Sequence, residues 1–162
     1  MYQEEYNTFS KNAFTPLKGD FDRATFEHIK DSHLYKDKNS LYRINGFKSP
    51  PLEKVEIEGV DMATLEGYNH LWLTDKNKVY FDRNKDIVTC DKIDRASFKA
   101  FTYYVAKDKN NVYYNSQHLA SDGKSSTQRA DYKILEGAHA PSFHFIDNGV
   151  YKDKNQEWTI ER

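Results

Sequence analysis

Apolar and polar positions alternate along most of this chain, but only in short runs, each cut by a turn phrase. HLYKDKNSLYR at 33–43, LWLTDKNKVYF at 71–81 and YVAKDKNNVYY at 104–114 show the pattern. Ring-bearing and β-branched residues flank a central D-K-N, and HFIDNGVYK at 144–152 repeats it around D-N-G. Period-two alternation over so few residues argues for strands, and the central phrase supplies the turn. Asp accepts hydrogen bonds from backbone N–H groups two residues on, and Lys tolerates the helical part of a type I turn. Asn or Gly is then expected at a positive-φ position that closes the loop. The pattern predicts the same β-hairpin written four times.

A second phrase keeps phase with the first. DRATF at 22–26, DMATL at 61–65, DRASF at 94–98 and DYKIL at 131–135 are spaced by 39, 33 and 37 residues. From each leading Asp to its turn Asp the offset is 15, 14, 14 and 16. The leading Asp is expected to cap one helical turn before its strand. A further turn follows the hairpin, at RING 43–46, DRNK 82–85, YNSQ 114–117 and DKNQ 153–156. In this reading the two YKDKN stretches, at 35–39 and 151–155, are not equivalent: the first fills a first turn and the second a second turn.

These phrases define units at about 22–60, 61–93, 94–130 and 131–162. A partial unit at about 6–21 precedes them, with Ser10-Lys11-Asn12-Ala13-Phe14 resembling the turn phrase. The expectation is an all-β fold and a single β-repeat domain over 1–162. It comprises four tandem repeats of about 37 residues, each a small antiparallel meander. Such repeats build a propeller-like ring or an open β-repeat array.

Composition sharpens this picture in places. Aromatic residues make up 15 % of the chain, twelve tyrosines and ten phenylalanines among them, which suits half-buried sheet faces. Lys and Arg number 24 against 25 Asp and Glu, so no whole-chain charge favours nucleic acid or an anionic membrane. No apolar run approaches the roughly 18–20 residues of a membrane span. Cys90 is the one cysteine, which excludes an internal disulfide framework and a multi-cysteine zinc site. MYQEEYNTFSKN at the start carries no apolar signal-peptide core, so a cytoplasmic location is expected. A periplasmic or envelope location is the alternative if the native chain carries a signal or anchor beyond this sequence.

The phrase Asp-x-x-Thr-Phe, then a tyrosine-rich strand and D-K-N-x-V-Y-Y, resembles the DKNYY repeat family of bacterial proteins. Ala106-Lys107-Asp108-Lys109-Asn110-Asn111-Val112-Tyr113-Tyr114 carries the resemblance most fully, and it extends over about 10–158. It implies a repeat architecture and brings no catalytic residue with it. The fourth unit departs from the pattern with Asp-Asn-Gly, and extra residues separate the first two units.

Candidate chemistry is sparse. Asp82-x-Asn84-x-Asp86 matches the start of a calcium-binding EF-hand loop, but Ile87 and Ile93 stand where that loop needs Gly and Glu. Turn capping explains these side chains better. His28, His33, His70, His118, His139 and His144 include two pairs five residues apart, which places each pair on opposite strand faces. Packing is their expected role, and Cys90 reads as a buried or half-buried thiol. Tyr42, Tyr80, Tyr113 and Tyr151 recur at one repeat position, Trp72 and Tyr104 at another. Core and inter-repeat packing is the first reading of these rings, a stacking surface for bases or sugars the second.

Function is better sought where the repeat is broken. FKSPPLEKVEIEGV at 47–60 sets Glu53, Glu56 and Glu58 against a single Lys54, and alternate spacing predicts Glu56 and Glu58 on one strand face. SDGKSSTQRA at 121–130 is a polar loop with basic ends. An edge strand protected by charge is the plain reading of the first, a linker of the second. No catalytic residue, cofactor or metal ligand is assigned. The expected function is a non-enzymatic protein-binding module, an immunity or antitoxin protein that occludes a toxin's active site through Glu53, Glu56 and Glu58. The alternative is a cell-envelope repeat protein that binds glycans or partner proteins.

Overall fold

The computed structural model describes residues 19–45, 47–48, 51–83, 86–116, 118–119, 128–129 and 131–160. The chain divides into two compact units: a small one of residues 1–28 and 33–56, and a large one of residues 29–32 and 57–162. The proposed partial repeat at 6–21 falls almost wholly outside the described residues.

In the small unit, β1 (Glu27–His28), β2 (Leu34–Lys36), β3 (Leu41–Ile44) and β4 (Leu52–Val55) form one antiparallel meander in chain order. Lys36 pairs with Leu41, which leaves Asp37-Lys38-Asn39-Ser40 as the turn. Leu34 and Leu41 lie on one face of this sheet, Tyr42 with Phe26 on the other, and all four are buried. Phe26 stacks on Tyr35 at 5.6 Å and meets Phe21 at 4.6 Å, so rings fill a core too small for many aliphatic side chains.

The large unit repeats this meander. Its first sheet is β5 (Glu66–Tyr68), β6 (Trp72–Thr74), β7 (Val79–Asp82) and β8 (Ile87–Thr89). Its second runs β9 (Lys99–Ala100), β10 (Val105–Lys107) and β11 (Val112–Asn115). A short hairpin of β12 (His118–Leu119) and β13 (Gln128–Arg129) then intervenes before β14 (Tyr132–Ile134) completes the sheet. The third sheet is β15 (His144–Asp147), β16 (Val150–Lys152) and β17 (Glu157–Thr159). Pairing is antiparallel throughout these sheets.

Strand alternation explains how the sheets of the large unit pack. Ala106 and Tyr113 point to one side of the β9–β14 sheet and pack with Trp72, Phe81 and Cys90. Val105 and Val112 point to the other and pack with Ala140, Phe143 and Tyr151. The two inner strands of the middle sheet are therefore apolar on both faces, which is why Val105-Ala106 and Val112-Tyr113 are consecutive buried pairs.

Among the described residues the only helical pieces are 3₁₀ turns at Arg95–Ser97 and Ala140–Ser142. The fold is all-β, an array of small antiparallel sheets, as the sequence predicts. No helix among the described residues is long and apolar enough to cross a membrane. One boundary needs correction. Tyr132–Ile134 pairs with Tyr113–Asn115 and closes the preceding sheet, so DYKIL does not open the fourth unit. The β12–β13 insertion delays this last strand and carries Asp131 into the place where a leading Asp was expected.

Candidate interaction surface

The repeated turn is built around one carboxylate. Asp37, Asp75, Asp108 and Asp153 are all buried, with 4 %, 0 %, 1 % and 3 % of their surface exposed. In each, Oδ1 accepts from the backbone N–H groups two and three residues on, at 2.7 to 2.9 Å. Oδ2 accepts from a backbone N–H at the start of the unit: Asp22, Asp61, Asp94 and His139 donate at 2.8 Å. It also accepts from a ring: the hydroxyls of Tyr42 and Tyr80 at 2.7 Å, that of Tyr113 at 3.0 Å, and the indole N–H of Trp158 at 3.0 Å. A buried charge is tolerable only when its lone pairs are met in this way.

A second circuit ties the start of the unit to the turn. Asp22, Asp61 and Asp94 cap their own first turn, accepting from the N–H of Thr25, Thr64 and Ser97. The hydroxyls of Thr25, Thr64, Ser97 and Ser142 then accept from the N–H of Lys38, Lys76, Lys109 and Lys154. The first three of those lysines return an ammonium to Asp22, Asp61 and Asp94 at 2.6, 2.6 and 3.0 Å. These outer ion pairs are solvent-exposed and add little.

Burial pushes the Asp37 and Asp153 carboxyls up. The N–H and ring donors around them outweigh it and hold both at about 2, below the ordinary 3.8. Asp75 is lowered by the same opposition. A folded-state value below the unfolded one means stability that is complete above about pH 4 and lost as pH falls from 3.8 toward 2. Urea midpoints followed from pH 6 to pH 2 are expected to stay level to about pH 4 and then fall steeply. A flat profile down to pH 2 would refute the buried-carboxylate account.

The remaining candidates lie apart from this frame. Cys90 is buried, and burial pushes its thiol up to about 12, so it stays protonated. His28 packs on Tyr35 at 4.9 Å, while His139 Nδ1 lies 2.8 Å from the Ser142 hydroxyl. In the EF-hand-like stretch Asp82 is buried and Asp86 lies 3.9 Å from Arg83, while Asn84 is outside the described residues. Among the described residues no group of three His, Cys, Asp or Glu is placed to hold a metal ion.

The acidic stretch is not one strand face. β4 ends at Val55, so Glu56 lies beyond it, and Glu58 sits in a turn closed by the Val60 N–H bond to the Ile57 carbonyl. Glu58-Gly59 is the turn signal, Gly59 taking φ +69°. Glu53 and Glu56 belong to the small unit, Glu58 to the large one. Glu53 is half-buried and ion-paired with Lys48, whereas Glu56 and Glu58 are exposed. Sequence reasoning overlooked Phe47, which is fully exposed at the tip of the β3–β4 connection. That connection is held by the Asn45 side chain accepting from the Phe47 N–H, and by the Asn45 N–H donating to Pro51. The 121–130 loop lies outside the described residues except for the backbone of 128–129.

A protein-family model, the DKNYY family, matches residues 2–117 and, overlapping it, 72–130. The chain belongs to the DKNYY family. No curated protein and no solved structure matches it.

The letters of the DKNYY phrase now have separate physical meanings in this chain. D is the buried acceptor, K gives its N–H to the Thr or Ser of the unit's first turn, and N presents a backbone N–H to the carboxylate. A ring five residues after D returns a hydrogen bond. Asn39, Asn77, Asn110 and Asn155 are not at positive φ, contrary to the turn reading, because the carboxylate closes the turn instead. Asp31, Asn69, His70 and Asn148 are the described non-glycine residues that take that conformation.

The fourth DKNYY unit also changes register. Asp153 has the partners of Asp37, so the two YKDKN stretches are equivalent after all. Trp158, not Tyr151, stands in the place of Tyr42, Tyr80 and Tyr113. Trp72 corresponds to Val105 rather than Tyr104, since Trp72 pairs with Phe81 as Val105 pairs with Tyr114.

Proposed function

We propose that this chain is a non-enzymatic protein-binding module, of the immunity or antitoxin kind, that covers the active site of a bacterial toxin. The observation that carries the reading is a division of labour among its side chains. The polar groups shared by the repeats are taken up by the chain's own turns, so recognition falls to residues that differ from unit to unit. Exposed Glu56 and Glu58 and the fully exposed ring of Phe47 are such residues. An exposed aromatic anchor with nearby acids in sequence suits the basic substrate groove of a nuclease. Glu53, already paired with Lys48, is the weakest of the proposed contacts.

The test starts with co-purification of the tagged chain with products of adjacent genes, followed by binding kinetics with the partner. Glu56→Lys and Glu58→Lys are expected to slow association by about tenfold at low salt, with dissociation changed less. Phe47→Ala is expected to act on dissociation instead. Kinetics unchanged in all three variants would remove these residues from the proposal.

A further inference from the structure

The opening strands of three sheets are blunt edges. β1 is Glu-His, β5 has Gly at its centre, and β9 is Lys-Ala. Shortness and charge are usual protections of an unpaired sheet edge, and a glycine in a strand weakens its pairing. β15 is longer than β1 and β9 and has no glycine, and its one acidic residue, Asp147, stands at its end. The strand is four residues long, His-Phe-Ile-Asp, every residue is exposed, and among the described residues it is the outer strand of its sheet. Phe145 is 42 % exposed and Ile146 44 %. A register shift between Phe145 and Asp147 leaves Ile146 opposite no residue of β16.

The strand is also complementary to itself. Laid antiparallel on a second copy about a twofold axis between Phe145 and Ile146, it sets His144 of each copy against Asp147 of the other. Phe145 then faces Ile146 twice. Directly opposed rings and branched side chains, with unlike polar groups at the ends, are the pairs that stabilise antiparallel strands. We infer that β15 is a self-association edge through which two copies of this chain pair by antiparallel strand addition. A twofold contact uses the same patch on both copies and so stops at a dimer. Four residues a side bury less than the roughly 1,200 Å² of a durable interface, so the dimer is weak.

Sedimentation equilibrium of the purified full chain from about 10 μM to about 1 mM decides the matter, and it needs no toxin or other partner. Wild type is expected to shift from monomer to dimer across that range. Ile146→Lys, a change at an exposed position, is expected to remain monomeric with an unchanged thermal midpoint. His144→Asp places carboxylates opposite each other at both ends and is expected to weaken the dimer at least tenfold. The double exchange His144→Asp with Asp147→His is expected to restore it. A wild type that stays monomeric at about 1 mM, a dimer indifferent to Ile146→Lys, or assemblies larger than two would each overturn the inference.

Discussion

Replacing Asp75 by alanine is expected to destabilise the large unit by about 4 kcal/mol or more. Asp75 is fully buried, and its carboxylate accepts from the N–H groups of Asp61, Asn77 and Lys78 and from the Tyr80 hydroxyl. Alanine removes the acceptor and leaves four donors behind, of which the Tyr80 hydroxyl is buried and the three backbone N–H groups are part-buried. A stranded buried donor costs roughly 1–3 kcal/mol. The charge-free Asp75→Asn variant separates two contributions. Its carbonyl still serves Asn77 and Lys78, while its NH₂ group meets the Asp61 N–H and can be accepted only by a turned Tyr80 hydroxyl. About half the loss is expected there, and about 1 kcal/mol for Tyr80→Phe. Urea midpoints at pH 7 measure all three. An Asp75→Ala protein within about 1 kcal/mol of wild type would mean that the carboxylate does not hold the unit together.

Gly67→Ala is expected to cost about 3 kcal/mol for a different reason. Gly67 lies in β5, and a methyl group there would sit 2.4 Å from the Lys30 carbonyl oxygen and 2.7 Å from that of Asp31. Both obstacles are backbone of the 29–32 segment, which belongs to the same unit. They cannot swing aside as a side chain does, since the Asp31 carbonyl also accepts from the His70 N–H at 2.8 Å and Asp31 itself takes φ 54°. Gly59→Ala is the control: φ is +69° with nothing within 4 Å, so strain alone is expected to cost about 1 kcal/mol. Thermal midpoints that rank these two variants the other way round would show that 29–32 is not seated against β5.

Much of this was legible in the sequence. The hairpins around Asp37, Asp75 and Asp108 and the capping role of Asp22, Asp61 and Asp94 follow from side-chain chemistry that acts within a few residues. The phase of the last unit was not legible from identity matching, because the turn carboxylate needs donors and takes them from different residues. His139 offers a backbone N–H that any residue has, and Trp158 offers an indole N–H where a tyrosine was expected. Asp131 and the Asp147-Asn148-Gly149 turn meanwhile imitate the missing landmarks. One signal survived: a hydroxyl three residues into each unit, at Thr25, Thr64, Ser97 and Ser142, twelve or thirteen residues before the turn lysine. The acidic stretch misled for another reason. Alternation predicts a shared face only while the strand lasts, and Glu58-Gly59 ends the extended run.

The bonds that recur in all four turns join residues no more than 15 positions apart. Neighbouring sheets of the large unit meet mostly through rings and aliphatic groups, with few polar ties such as Arg95 to the Asp75 carbonyl and Lys107 to the Ala140 carbonyl. A segment that satisfies the polar groups of its own turn and shows its neighbours mostly grease can be copied in a gene with little rewriting of what lies beside it. Unequal recombination within such a gene would then lengthen or shorten the array by whole units, and relatives of this chain should differ in length by steps rather than residue by residue.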